Sequence, residues 1–176
     1  MKYPNYKILL FSFFLISLTN CKKETQQAEI LNKDNQESQK ILKSDIDIIK
    51  YTDYILSDQS VKVTADWVKF LELQDEIEKL KKGELTFFRD DIVLIKTLTK
   101  ELKEAIPESL NKHVITTRIT VLENNLYNLH SELNLKRLTK NYTLKSIKAL
   151  LISASNLKLQ INKQLEMDSQ NIIKPQ

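Results

Sequence analysis

The apolar side chains between residues 112 and 133 constrain the fold more than any other feature of this sequence. They recur at steps of four, three, four, three and four residues: Ile115, Ile119, Leu122, Leu126, Leu129 and Leu133. Such steps place side chains on one face of an α-helix, whereas a strand would alternate at every second residue. The pattern therefore predicts a helix from about Lys112 to Leu133 that buries one face.

Four other stretches show helical spacing. They run from about Ser38 to Leu56, Thr64 to Lys82, Thr86 to Ile106, and Asn141 to Glu166. Asp58, Gln59 and Ser60 are expected to separate the first two. Thr64 is the predicted N-cap of the second, and Gly83 is its predicted C-terminal cap. Pro107 is expected to end the third.

The composition favours helices throughout. The chain has one glycine and three prolines among 176 residues, too few for the tight turns that a sheet needs. Short connections between long helices favour antiparallel neighbours. We predict an all-α fold for residues 38–168: an up-and-down antiparallel bundle of four long helices with coiled-coil-like seams, plus an N-terminal fifth helix. Residues 169–176 are expected to form a disordered tail.

The first twenty-one residues are a different kind of segment. Lys2 and Lys7 precede the apolar run from Ile8 to Leu18, and Thr19, Asn20 and Cys21 follow. A cationic start, a short apolar run and a polar exit are typical of a secretory signal peptide. The run is shorter than the roughly 20 apolar residues that a transmembrane helix needs. The sequence therefore predicts export rather than a membrane-spanning segment.

Leu18-Thr19-Asn20-Cys21 resembles the lipobox of bacterial lipoproteins. The resemblance implies that residues 1–20 are removed and that Cys21 carries fatty-acyl chains such as palmitate. Asn20 stands where that family usually has Gly, Ala or Ser. The implied location is the cell envelope, attached to a membrane, with the outer membrane favoured. Residues 21–37 are strongly polar and are expected to form a disordered tether.

The residues that usually carry chemistry are sparse. Cys21 is the only cysteine, so an intramolecular disulfide and a cysteine-based zinc site are excluded. His113 and His130 lie roughly 25 Å apart along one predicted helix, and no Glu-x-x-His pair accompanies them. Asp90 and Asp91 diverge on a helix and fit its first turn, where acids complement the dipole. We predict no metal, no cofactor and no catalysis.

The charge is unevenly distributed. Removing Lys2 and Lys7 from the net charge of +4 leaves +2, which does not by itself imply an anionic partner. From Leu133 to Leu165, however, there are seven basic residues and no acid. This run either faces an anionic envelope surface or packs beside the acidic first two helices. Nucleic acid is not expected, because the chain is exported and the run lacks interleaved aromatics.

The fifth helix is apolar over an arc of roughly 220°, which is wider than a peripheral helix needs. Either it is central and covered on two sides, or Ile152 and Leu159 remain exposed for a partner. The candidate binding residues are therefore Ile152, Leu159, Lys145 and Lys148. Trp67 fits core packing better than ligand stacking, and Arg118 fits a structural ion pair better than an anion site.

These observations favour a lipid-anchored helical module of the cell envelope that binds or scaffolds a partner, most simply a protein, without catalysis. Two alternatives stay open. One is an inhibitor or immunity-type lipoprotein that neutralises a partner at the envelope. The other is a bundle that handles a small ligand or a metal in an internal polar cavity.

Overall fold

The structure is a computed structural model that describes residues 40–135 and 139–170. These residues form seven α-helices and one 3₁₀ turn, with no strand among them. The predicted all-α class is therefore confirmed for this part of the chain. The predicted signal peptide, Cys21 and the tether lie outside the described residues, as do residues 171–176 of the predicted tail.

The helices differ widely in length. In chain order they are α1 Lys43–Asp47, α2 Asp58–Thr64, α3 Val68–Lys81, α4 Thr86–Arg89, α5 Ile92–Glu104, α6 His113–Leu133 and α7 Lys140–Ser169, with the 3₁₀ turn at Glu108–Leu110 between α5 and α6. All of them lie in the compact unit Ile41–Gln176. No helix of the described part is long and apolar enough to cross a bilayer.

Helix α6 confirms the prediction from its spacing. It spans His113–Leu133, and all six of its spaced apolar side chains are buried. Helix α7 is also confirmed and is longer than predicted, because it runs from Lys140 to Ser169. The two helices pack along each other, and α5 packs beside α6. This packing shields most of the apolar surface of the two longest helices from water.

The prediction of one helix from Ser38 to Leu56 is wrong. Within residues 40–57, which the structure describes, helical structure before α2 is limited to Lys43–Asp47, and residues 49–57, called the strap below, have neither helix nor strand structure. Ile48 and Ile55, which would lie on the apolar face of such a helix, are 74% and 81% exposed. The strap has an alternative to the helix, because side chains of α7 hydrogen-bond to its backbone. The β-branched isoleucines also disfavour the helix slightly.

The boundary of the second predicted helix is also wrong. Asp58, Gln59 and Ser60, predicted to be a break, form the first turn of α2, and the Ser57 hydroxyl caps that turn by accepting from the Ser60 amide at 3.2 Å. Thr64 is the last residue of α2 rather than an N-cap. Its hydroxyl donates to the Ser60 carbonyl, a bond that a threonine can make inside a helix. The long helix begins only after Trp67.

The third predicted helix is divided in two. Helix α4 ends at Arg89, and α5 begins at Ile92, so Asp90 and Asp91 form the junction instead of a first turn. The Asp91 carboxylate accepts from the Val93 amide at 2.9 Å and caps α5. Local capping thus competes with helix continuation at these two acids. The predicted end before Pro107 is confirmed, because α5 ends at Glu104.

Gly83 terminates α3 as predicted. Its φ of +88° lies in the left-handed region that glycine adopts without strain. The Gly83 amide donates to the Leu80 carbonyl at 2.9 Å, and the Glu84 amide donates to Lys79 at 3.0 Å. This pair of bonds is the Schellman motif. A side chain at residue 83 would also meet the backbone nitrogen of Lys43 at 3.1 Å, so the turn brings α1 close to the end of α3.

Substitution of the seam in α6 tests the core. Leu126→Ala should lower the free energy of unfolding by about 2–5 kcal/mol, because it removes buried methyl groups and leaves a cavity. Val121→Ala on the same helix is the matched control, since Val121 is exposed, and it should change stability by less than about 0.5 kcal/mol. Urea denaturation followed by circular dichroism measures both, and equal losses would contradict the burial described for α6.

Candidate functional site

Helix α7 has three kinds of surface. Leu150, Leu151 and Leu157 are buried in the core. A second side, around Ser155 and Asn162, contacts the strap. The remaining side faces solvent and carries the residues singled out from the sequence. The two readings of the wide apolar arc therefore both hold in part: the helix is covered on several sides, yet Ile152 stays 37% exposed.

Ser155 holds the first half of the strap. Its hydroxyl accepts from the Tyr54 amide at 2.8 Å and donates to the Thr52 carbonyl at 2.7 Å. The residue is buried, so both bonds replace hydrogen bonds that water would otherwise make. One serine side chain thereby satisfies an amide and a carbonyl of a backbone that has no helix or sheet partner.

Asn162 holds the second half in the same way. Its Oδ1 accepts from the Ser57 amide at 2.9 Å, and its Nδ2 donates to the Ile55 carbonyl at 2.7 Å. The seven residues from Ser155 to Asn162 rise about 10.5 Å along α7. The two bonded backbone pairs are three residues apart, and three extended residues span about 10 Å. The matching lengths fix the register of the strap on the helix.

Asp53, in the middle of the strap, links two helices. Its carboxylate pairs with Lys81 of α3 and with Lys158 of α7, both at 2.6 Å. Partial burial raises the pKa of Asp53, but the hydrogen bonds and charges of Lys158 and Lys81 outweigh that effect, so the pKa lies below its ordinary value. The pKa of Lys81 is raised above its usual range, because pairing with Asp53 and Glu78 outweighs desolvation.

The basic run divides into paired and unpaired lysines. Lys140 pairs with Asp45 at 2.8 Å, and Lys158 pairs with Asp53. Both acids belong to the segment before α2, so complementary charge accounts for this part of the run. In the part of the chain that the structure describes, Lys145, Lys148 and Lys163 make no ion pair and are exposed. Lys136 and Arg137 lie outside that part.

The unpaired lysines share one stripe of α7 with the apolar candidates. At about 100° of rotation per residue, the members of the stripe fall within an arc of about 60°. The exposed Asn141 and Glu166 fall in the same arc. We call the five residues Lys145, Lys148, Ile152, Leu159 and Lys163 of this stripe the outer face. Leu159 is half-buried. Lys145 lies 5.3 Å from the ring centre of Tyr142, within range of a cation–π interaction.

The four candidate residues predicted from the sequence therefore lie together. Lys145, Lys148, Ile152 and Leu159 occupy one side of one helix, over 14 residues or about 21 Å. Arg118, on α6, is exposed and makes no ion pair within the described ranges, so the predicted structural pair is not observed there. Cys21, the predicted lipid attachment site, lies outside the described residues.

Trp67 has the structural role expected of it. It is buried, its ring stacks on Phe70 with centroids 4.9 Å apart, and its Nε1 donates to the Leu102 carbonyl at 3.1 Å. The two histidines are both on α6, near its opposite ends. His113 is exposed, and His130 contacts the Phe88 carbonyl through Nδ1 at 3.2 Å. These contacts attach neighbouring elements to one another.

A narrow cleft separates α3 from α7 above α6. Its walls include Phe70, Leu122, Leu157 and Lys158, and the space open to water-sized molecules is about 20 Å³. This volume holds about one water molecule, far less than an ordinary small-ligand site. Among the described residues, no group of three or more His, Cys, Asp or Glu side chains could hold a metal ion.

Comparison with known proteins gives no relative. No family model matches the chain, and no curated protein or solved structure matches it significantly.

The sequence analysis missed the strap and its partners. A usable signal exists in α7, because Ser155 and Asn162 are uncharged polar residues seven positions apart, so they lie two turns apart on one side of the helix. Polar residues two turns apart on a covered side indicate that the covering element offers backbone groups. The sequence of α7 does not indicate which segment covers these residues.

Hydrogen exchange tests the strap. Ser155→Ala should speed exchange of the Tyr54 amide, and Asn162→Ala that of the Ser57 amide, because each removes the acceptor of that amide. Each substitution should also cost about 1 kcal/mol of stability. Asn156→Ala, on another side of α7, should leave both amides unchanged. If the Tyr54 amide in Ser155→Ala and the Ser57 amide in Asn162→Ala exchanged as slowly as in the unsubstituted chain, these hydrogen bonds would be contradicted.

The pH dependence of stability tests Asp53. Because its pKa is lower in the folded than in the unfolded chain, its contribution is complete above the unfolded pKa of about 4 and is lost as the pH falls through the folded pKa. Asp53→Asn should therefore cost about 1 kcal/mol at pH 7, a small value because solvent screens the pair, and the cost should vanish in acid.

Asp47→Asn is the matched control. Asp47 pairs only with Lys43, on the same exposed turn, so thermal unfolding at pH 7 should differ little from the unsubstituted chain. An equal loss in both variants would show that Asp53 has no special role in holding the strap.

Proposed function

We propose that this chain is a lipid-anchored binding module of the cell envelope and that the outer face of α7 is its contact surface. One observation carries the proposal: Lys145, Lys148 and Lys163 are exposed beside the partly exposed Ile152, and they make no ion pair with any residue that the structure describes. Lysines elsewhere on α7 are neutralised by acids of the same domain. Charge left unbalanced on one side of a long helix favours an anionic partner on that side.

The anchor in this proposal is Cys21. Its support is the sequence alone: the cationic start, the apolar run and the lipobox-like Leu18-Thr19-Asn20-Cys21. Acylation would attach the helical domain to a membrane through residues 22–40. Export to the envelope, with the outer membrane favoured, follows from the same segment.

The domain in this proposal is an up-and-down bundle of α3, α5, α6 and α7. Side-chain bonds between successive helices support it: Lys69 to Glu101 joins α3 to α5, Lys103 to Glu123 joins α5 to α6, and Asn125 to the Ala149 carbonyl joins α6 to α7. The connections between them are short, which favours antiparallel neighbours. Helix α7 would then be held rigidly, with its outer face toward solvent.

Binding rather than catalysis fits the use of the interior polar groups. In the described part, every buried side-chain nitrogen or oxygen has a hydrogen-bond partner. The hydroxyls of Thr64, Thr99 and Ser153 donate to carbonyls of their own helices, and Ser155 holds the strap. These groups are committed to structure, so the outer face is the better place to seek function.

Photo-crosslinking in the native envelope tests this proposal. A photo-reactive residue in place of Ile152 should form adducts with an envelope component, because it lies on the outer face. The same residue in place of Val93, which is exposed on α5, is the control and should form few. Equal yields at the two positions would contradict the assignment of the contact surface.

The anchor is tested separately in the same cells. Cys21→Ser should abolish labelling by a fatty acid, whereas Ser12→Ala in the apolar run should leave that labelling unchanged. Labelling that survives Cys21→Ser would contradict attachment at this residue and leave the crosslinking result unaffected.

A further inference from the structure

We infer that the outer face of α7 binds the anionic headgroups of a bilayer, so that the folded domain lies against the membrane along this helix. The inference rests on the proposed function and deepens it by naming the partner of the same surface. The observations that support this inference are the charge of the outer face, its apolar side chains, its borders and the position of α1 beside α7.

The charge of the outer face suits a negatively charged plane. Lys145 and Lys163 are 18 residues apart, which is about 27 Å along the helix, and Lys148 lies between them. A row of lysines on the solvent side of a helix can lie along an anionic membrane surface, where each lysine near the surface contributes about 1 kcal/mol. The three lysines are spread along a line instead of being clustered for one small anion.

Apolar side chains accompany the lysines. Ile152 and Leu159 lie between Lys148 and Lys163 on the stripe. Such residues can enter the boundary between headgroups and acyl chains, while lysine stems reach outward to the phosphates.

The two borders of the outer face extend its apolar character. The strap lies along one border, because Ser155 and Asn162 are rotated by about 60° from Ile152 and Leu159, and its Ile55 is 81% exposed. Helix α6 forms the other border, as the bond from Asn125 to the Ala149 carbonyl shows. One turn from Asn125, α6 exposes Val121, and Arg118 lies close by.

The first helix of the domain, α1, lies near the N-terminal end of α7, the end that carries Lys145 and Lys148. Asp45 of α1 pairs with Lys140 in the first turn of α7 at 2.8 Å, and Ile41 is buried in the same domain. The strap then runs along α7 toward Asn162. Helix α1 therefore lies beside the first turn of α7.

A bilayer fits this surface better than a protein does. The solvent side of a single helix is convex, and it offers no groove for the side chains that anchor protein complexes. A membrane interface accepts a convex amphipathic ridge without shape matching.

Vesicle binding of the full chain, made without cells so that it carries no acyl group, tests the inference. Every variant keeps the same N-terminal segment with its apolar run and lysines. The measured quantity is therefore the ratio of binding to phosphatidylglycerol over phosphatidylcholine vesicles, compared between variants. The triple variant Lys145→Gln, Lys148→Gln, Lys163→Gln should lower that ratio by about a hundredfold. Raising the salt concentration should lower it in the unsubstituted chain.

A second triple variant is the matched control. Lys62→Gln, Lys82→Gln and Lys96→Gln remove the same charge from exposed lysines that lie off α7 and should leave the ratio within about threefold, a change of about 0.7 kcal/mol. An unchanged ratio in the first variant, an equal fall in both variants, or no preference of the unsubstituted chain for anionic vesicles would overturn the inference. The outer face would then be open to a protein partner.

These results are independent of the anchor. Because the chain in this experiment is unacylated, vesicle binding neither requires nor tests modification of Cys21. If the unsubstituted chain is not labelled by a fatty acid in cells but binds anionic vesicles as expected, the anchor is contradicted and the membrane contact of α7 is not. If it is labelled but does not bind as expected, the membrane contact is contradicted and the anchor is not.

Discussion

The packing of α6 against α7 is the interaction on which the rest of the structure depends. Helix α6 contributes an unbroken seam of buried side chains, and α7 contributes Leu150, Leu157 and Ile161. Burial of apolar surface on this scale dominates folding free energy. Because this contact uses one side of a 30-residue helix, it also determines which sides of α7 remain for the strap and for solvent.

The strap shows how a polar contact can complete a helical core. A segment without its own ladder of hydrogen bonds must find partners elsewhere, or leave its backbone groups to water. Ser155 and Asn162 provide four such bonds, and Asp53 adds charge pairs to Lys81 and Lys158. The N-terminal side of the domain is therefore attached to α7 by directional bonds, while Tyr51 and Leu56 pack on the core.

The lysines of α7 fall into two groups according to their ion pairs. Lysines that turn toward the strap and α1 meet Asp53 and Asp45, and they stabilise the fold locally. Those on the outer face meet solvent, and their charge remains available to a partner. The proposed membrane contact uses only the second group, so the two functions of the basic run, cohesion of the domain and attraction of an anionic surface, need not interfere with each other.

The sequence by itself determined the helical class, the long helices α6 and α7, the end of α3 at Gly83 and the end of α5 before Pro107. These features depend on local spacing and backbone geometry, which neighbouring residues specify. It also indicated Lys145, Lys148, Ile152 and Leu159 as candidate binding residues, from the basic run and the wide apolar arc of α7. Only the tertiary structure decided that residues 49–57 form a strap and that Lys140 and Lys158 are paired while Lys145 is not. Those outcomes depend on contacts about a hundred residues apart, where a distant side chain satisfies the backbone better than another helical turn would.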